Sequence, residues 1–254
     1  MLKISIITVS YNSVATIEDT IKSVLSQTYQ NIEYIIIDGK STDGTLEIIN
    51  KYKDKIAKII SEPDKGLFDA INKGIRLATG EIIGILHSDD LYNNEKVISI
   101  VAKEMEEKKL DACWSDLVYV NRDDTSKIVR VWKSSSYEEG KFRKGWMPPH
   151  PTFFAGKNIF EKYGVYNLNF KLAADYELML RFLEKYKIKS NYIPEILMKM
   201  RVGGVSNRSF KNIKTIVKSN IDCYRAFKEN GLKINPLIIL IKPLSKIFQS
   251  FYKN

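Results

Sequence analysis

The sequence predicts an α/β protein whose sheet begins mainly parallel and becomes mixed toward its C-terminal half. Three observations carry that expectation. Short Ile-rich runs alternate with amphipathic helical stripes over residues 3–110, as in successive βαβ units. Two β-rich runs then follow one another around the polar turn Asn121-Arg122-Asp123-Asp124, which reads as an antiparallel hairpin. The composition, 44% hydrophobic and 28% charged with 13 Gly and 7 Pro, is that of an ordinary folded chain and excludes disordered, collagen-like and mucin-like classes.

In chain order, strands are expected at 3–10, 33–38, 57–61 and 81–86, because each run is short, rich in Ile and bounded by polar residues or Gly, as strands buried on both faces are. Helices fill the gaps. Ile17, Ile21, Val24 and Leu25 form one apolar stripe, Phe68, Ile71 and Ile75 a second within 68–78, and Val97, Ile100, Val101 and Met105 a third. A short helix beginning near Thr45 follows the turn that ends in Gly44. Runs 112–120 and 128–132 make the hairpin, and a loop rich in Lys, Gly and Ser leads to Pro148. A helix over 175–186 turns Leu178, Met179, Phe182 and Leu183 inward, and two β-like runs, 188–193 and 195–201, close the body. The expected division is a catalytic body over 1–205 and a basic helical extension over 206–254.

The charge is uneven. Of the net +10, residues 201–254 carry +9 and the rest +1, so the basicity belongs to the tail and not to a nucleic-acid-binding face on the body. Cys113 and Cys223 match no metal or redox spacing and are expected to be reduced and buried, as in a cytoplasmic protein. No apolar run approaches the ~20 residues of a membrane span, and the opening residues do not form a leader peptide. Within 235–254, Leu237, Leu240, Ile241, Leu244, Phe248 and Phe251 share one helical face, with Lys242, Lys246 and Lys253 opposite. That pattern suits a helix lying on the inner, anionic face of the cell membrane, kinked at Pro243, or one packed on the body or on a second subunit.

Polar groups gather where strands end, and open α/β sheets bind ligands in the crevice beyond the carboxyl ends of their strands. The ends read Ser10-Tyr11-Asn12, Asp38-Gly39-Lys40-Ser41-Thr42-Asp43-Gly44-Thr45, Glu62-Pro63-Asp64-Lys65-Gly66 and His87-Ser88-Asp89-Asp90. Neither GxGxxG nor GxxxxGK[ST] is present, which removes the dinucleotide and P-loop fingerprints.

Taken in order, ISIITVSYN, SVLSQTYQNIEYIIID, DGKSTDGT, DKGLFDAINKGIRLATGEIIGIL, HSDDL, AADYEL and GGVS resemble the landmarks of a family 2 glycosyltransferase with the GT-A fold, of the type that builds bacterial surface polysaccharides. The resemblance covers about the first 205 residues. It implies a Rossmann-like mixed sheet flanked by helices, a nucleotide-sugar donor, a glycan or lipid-linked acceptor and a Mg²⁺ or Mn²⁺ ion.

Residue by residue, the resemblance implies base recognition by Asp38, whose carboxylate can accept from a uracil N–H or a ribose hydroxyl; capping of the Thr45 helix is the alternative, and is the role expected of Asp43. Ser10, Tyr11 and Asn12 line the same cleft or merely turn the chain, and Asp64 meets donor sugar or phosphate. A leaving diphosphate needs its charge neutralised, and Mg²⁺ typically takes only one or two protein carboxylates. In the family the acidic motif is Asp-x-Asp or a shortened version. Here His87 stands in the first acidic place, which makes Asp89 the expected metal ligand, with Ser88 and Asp90 as neighbouring cofactor or ribose contacts; helix capping is the alternative for the aspartates. Asp175 is the expected general base, with Glu177 as the fallback and Ala174 in the place of the family's preceding Glu.

His150, set between prolines, contacts ligand or packs. Arg201, Gly203, Gly204 and Ser206 form a loop whose cation and free N–H groups could cover the diphosphate. Trp146, Phe153 and Phe154 line the acceptor site or belong to the core. The expected enzyme is an inverting hexosyltransferase that binds no nucleic acid; a nucleotidyltransferase releasing pyrophosphate, or a basic nucleic-acid-binding protein, are the rival readings.

Overall fold

The computed structural model describes residues 1–203 and 213–234. Its chain runs β1 (Ile4–Ser10), α1 (Ile17–Leu25), β2 (Ile32–Asp38), α2 (Thr45–Asn50), β3 (Lys58–Ser61), α3 (Leu67–Leu77), β4 (Ile82–His87), β5 (Asp90–Tyr92), α4 (Val97–Lys108), β6 (Ala112–Val120), β7 (Ile128–Trp132), β8 (Phe154–Gly156), α5 (Lys157–Tyr163), α6 (Ala174–Met179), β9 (Ser190–Arg201) and α7 (Ile213–Glu229). One sheet contains every described strand, in the order β3-β2-β1-β4-β8-β6-β9-β5, with β7 paired to β6. Strands β1 to β4 are parallel, and β8 enters antiparallel between β4 and β6, so the sheet becomes mixed as expected.

The alternation of apolar residues along β1 and β2 builds two cores, one on each face of the sheet. Ile4, Ile6, Tyr34 and Ile36 pack with Ile17, Ile21 and Val101 of α1 and α4. Ile7, Val9, Ile35 and Ile37 pack with Ile71 and Ile75 of α3 and with Tyr176 and Leu180 beyond. The register then fixes the ends: Ser10 pairs with Asp38, Asp38 with Ser61 and Val9 with His87, so the polar residues that close four strands finish side by side.

Several elements differ from the sequence expectation. β5 and β8 are strands of three residues, too short to show a period of their own. The runs 188–193 and 195–201 form one strand, because β9 bulges at Pro194-Glu195: Ser115 pairs with Ile193, and the next residue, Asp116, pairs with Ile196. Proline has no N–H for the ladder, and the bulge takes it out of register without breaking the strand. The helix expected over 175–186 starts at Ala174 and widens into a π-helix over Leu180–Lys185.

Helix α7 lies within the expected basic extension, yet its Cys223, Ala226 and Phe227 are buried in the same core as Tyr176. Asn230, just beyond it, donates from Nδ2 to Glu177 Oε1 at 3.0 Å. Cys223, Ala226 and Phe227 of the expected extension therefore share a core with the body. Both cysteines are buried, and no disulfide joins them. Among the described residues no helix is long and apolar enough to cross a membrane. The apolar stripe of 235–254, Gly204 and Ser206 lie outside the described residues.

Candidate active site

The ends of β1, β2 and β3 are stitched into one surface. Asp38 is fully buried, and its Oδ1 accepts from Ser10 Oγ at 3.0 Å and from Ser41 Oγ, while its Oδ2 accepts from Ser41 N at 2.9 Å and Ser61 Oγ at 2.7 Å. A carboxylate offers about four acceptor positions, and all are filled from within the chain. Asp38 thus orders the loop after β2.

Asn12, at φ 48°, donates from its backbone N–H to Ser41 Oγ at 2.9 Å and accepts from Thr42 N at 2.9 Å, so it holds the same loop from the β1 side. Asp43 accepts from Thr45 N, Thr45 Oγ1 and Val14 N. Burial pushes its pKa up, but these bonds outweigh burial and hold the carboxyl below its usual range. Asp43 therefore holds the first N–H of α2 from one residue outside its N-cap, Gly44.

Tyr11 and Asp64 flank Gly39 beside this surface. Tyr11 is 65% exposed at the end of β1. Gly39 lies between it and Asp64, so close that a Cβ there would stand 2.6 Å from Asp64 Oδ2 and 3.3 Å from Tyr11 Cδ2. Asp64 Oδ1 accepts from Gly66 N at 2.7 Å, which fixes the turn into α3. The structure thus brings Ser10, Tyr11, Asn12, Asp38 and Asp64 together.

At the end of β4, Ser88 Oγ lies 2.8 Å from Ser13 Oγ, joining this turn to the end of β1. Asp89 is partly exposed, and its main-chain carbonyl accepts from Arg201 Nη1 at 3.1 Å. Two expectations are corrected here. Arg201 is buried, with its guanidinium committed to Asp19, the Arg122 carbonyl and the Asp89 carbonyl, so it holds the turn and does not cover a diphosphate. Asp90 is 1% exposed in β5, and neither carboxylate oxygen has a hydrogen-bond partner. Burial, and then the nearby Asp89 charge, push its pKa well up, and its place in the core keeps it from a ribose or a helix end.

Across the cleft, Asp175 opens α6 with Oδ1 accepting from Tyr176 N at 2.7 Å and Oδ2 3.5 Å from His150 Nδ1. The His150 and His87 rings stand 5.8 Å apart at 58°. Burial, then the adjacent His150, lower the His87 pKa to about 4 against the pull of Asp89 and Asp175, which leaves a neutral imidazole at pH 7. Glu177 is corrected as a fallback base. It is 3% exposed and bonded to Arg181 Nε at 2.9 Å, Arg181 Nη2 at 3.0 Å and Asn230 Nδ2, so no acceptor reaches it. Phe153 and Phe154 are buried core residues, while Trp146 is half-buried against Trp114 and Phe142.

Sequence reasoning missed Ser41, Ser61 and Ser13 as organisers and the meeting of His87 with His150. The positions of Ser41, in the run that closes β2, and of Ser61, at the end of β3, hinted at their parts. Among the described residues no group of three or more His, Cys, Asp or Glu could cage a metal. Asp89 offers a partly exposed carboxylate on a fixed backbone, which suits an ion that draws its other ligands from a diphosphate and water.

A family model described as glycosyl transferase family 2 matches residues 5–164, from β1 through α5. The chain is 33% identical over 242 residues to the Escherichia coli UDP-Glc:alpha-D-GlcNAc-diphosphoundecaprenol beta-1,3-glucosyltransferase WfaP, covering 94% of this chain and 90% of that one. Among solved structures, S. aureus TarS 1-349 in complex with UDP-GlcNAc superposes with a TM-score of 0.68 at 18% identity, covering 87% of this chain and 66% of that one. The mannosyltransferase PcManGT from Pyrobaculum calidifontis, in complex with GDP-Man and Mn2+, gives a TM-score of 0.66 at 18% identity over 99% of this chain and 70% of that one. At that identity the two structures speak for the fold.

Proposed function

Because the chain belongs to glycosyl transferase family 2, and is thereby a glycosyltransferase, we propose that it moves a hexose from a UDP-sugar to a hydroxyl of a lipid-linked glycan, with inversion at the anomeric carbon. One observation supports this reading. The sheet order sets the ends of β2 and β1, with Asp38 and Tyr11 there, beside the end of β4, where Asp89 and Asp175 are both close enough to act on the charge of His87.

In this reading the nucleobase lies against Tyr11 over the Asp38 loop, and the ribose and diphosphate run past Asp64 toward Asp89. Asp89 would hold Mg²⁺ or Mn²⁺, which supplies positive charge to the leaving diphosphate. Asp175 accepts the proton of the acceptor hydroxyl as its oxygen bonds to the anomeric carbon. The bond from that carbon to the diphosphate breaks, its electron pair leaves with UDP, and no covalent enzyme intermediate forms. The activity that names WfaP, a UDP-Glc transfer to a diphosphoundecaprenol-linked sugar, supports the donor and acceptor classes. It also supports a place at the inner membrane face, for which the amphipathic pattern of 235–254 is the anchor.

The test is a thermal-shift panel of UDP-glucose, UDP-GlcNAc, UDP and GDP-mannose with and without Mn²⁺, since a ligand that binds only the native state raises Tm by mass action. UDP compounds are expected to raise Tm more when Mn²⁺ is present. A response to GDP-mannose with none to UDP compounds overturns the donor assignment.

A further inference from the structure

The chain has only two histidines, far apart in sequence, and the fold brings both to Asp175. We propose that His150 is a positioning residue for Asp175: its Nδ1–H holds Oδ2 and His87 braces the imidazole, so that the carboxylate presents one fixed lone pair to the acceptor. The inference rests on Asp175 being the base and adds the group that aims it.

The geometry gives each partner a rigid mount. His150 begins a single 3₁₀ turn between Pro149 and Pro151, where Thr152 N donates to the Pro149 carbonyl at 3.0 Å. Thr152 Oγ1 in turn accepts from Ser115 N at 3.1 Å, which ties the turn to the middle of β6. The His87 ring sits at the end of β4, next to Asp89 in the turn that follows. On Asp175, Oδ1 is already held by the backbone N–H of Tyr176 at 2.7 Å, so a second hold on Oδ2 stops rotation of the carboxylate. The 3.5 Å separation is long for a hydrogen bond, as such contacts often are before substrate binds, and shortens as the acceptor fills the cleft.

The arrangement also accounts for the departure from the acidic motif at residue 87. A carboxylate there would add a third negative charge beside Asp89 and Asp175, whereas an imidazole packs against His150.

Two histidines make the imidazole ¹⁵N spectrum of the full chain simple enough to read residue by residue. Asp175→Asn is expected to shift the His150 Nδ1 resonance and speed exchange of its proton, and an unchanged His150 signal overturns the proposal. Turnover is followed as UDP released from UDP-glucose in the presence of a GlcNAc-diphospholipid. His150→Ala should lower kcat about 10- to 100-fold, the scale of a misaimed catalytic group, with the donor KM within about twofold. His150→Asn, which places an amide N–H near the position of Nδ1, should recover most of that loss, and His150→Ala should add little to Asp175→Asn.

Equal losses in His150→Ala and His150→Asn, or a loss confined to donor KM, assign His150 to packing or to donor contact and overturn the proposal. Full turnover in Asp175→Asn defeats the base reading itself. Loss of turnover in Asp175→Asn with normal turnover in His150→Ala defeats only the positioning role. Should His150→Ala fail to fold, the spectrum of Asp175→Asn still decides.

Discussion

Arg201 Nη1 donates to the main-chain carbonyl of Asp89 at 3.1 Å, across 112 residues of sequence. The last residue of β9 thereby fixes the backbone of the turn that carries the proposed metal ligand. Arg201 also pairs with Asp19 on α1, so one buried cation ties three parts of the fold together. Arg201→Ala strips partners from Asp19 and two carbonyls. The expected cost is about 3 kcal/mol in urea unfolding, together with weaker Mn²⁺-dependent stabilisation by UDP. Arg201→Ala with wild-type stability and wild-type UDP response rules out the clamp.

Asp89→Asn keeps the side chain's shape and the Arg201 contact but removes the negative charge. The Mn²⁺-dependent part of UDP binding should disappear in calorimetry while the circular dichroism spectrum stays unchanged. Retained metal dependence moves the ion elsewhere.

Asp175→Asn should lower kcat by about 10²- to 10⁴-fold, the usual range for losing a general base, with donor affinity almost untouched. Glu177→Gln should behave differently. It weakens the pairing with Arg181 and Asn230 and lowers Tm, while turnover per folded molecule stays near wild type. The reverse pattern exchanges the two roles.

Acid stability isolates Glu33. Burial alone would raise its pKa, but bonds from Ser5 and from the backbone and hydroxyl of Thr79, with Lys3 nearby, outweigh burial and lower it to about 2 from 4.5. A folded-state pKa below the unfolded one means stabilisation that is complete above pH 4.5 and is lost as pH falls toward 2. Glu33→Gln should therefore be less stable than wild type at pH 7 and should lose less stability between pH 5 and pH 3; parallel pH profiles for the two proteins contradict this.

The proposed anchor is tested by removing 235–254 and measuring co-sedimentation with vesicles containing anionic phospholipid. Full-length protein should pellet with them and the truncated protein should not. Equal binding by both, or by neither, excludes the membrane role for this segment.

The parallel half of the sheet is legible in the sequence, since Ile-rich strands and amphipathic stripes are local patterns and their boundaries fall within about two residues of those observed. The strand-end carboxylates are legible too, because the ends of parallel strands are where such a sheet binds ligands. The part of Asp43 at the start of α2 follows from a turn chemistry written in neighbouring residues. Three-residue strands are not legible: β5 and β8 exist through their partners, β9 for one and β4 and β6 for the other.

By itself the sequence determined the α/β class, the family and the set of acids from which the site is drawn. Tertiary structure alone decided which of those acids solvent can reach. Asp89 and Asp175 remain partly exposed, whereas Asp90 and Glu177, one and two residues away, are buried in the core. It likewise turned Arg201 inward to Asp19, 182 positions earlier, and set His150 against Asp175. The reason is physical: hydrophobic period and turn preference act over a few residues, while the solvation and partners of a charged side chain depend on segments that meet only when the sheet closes.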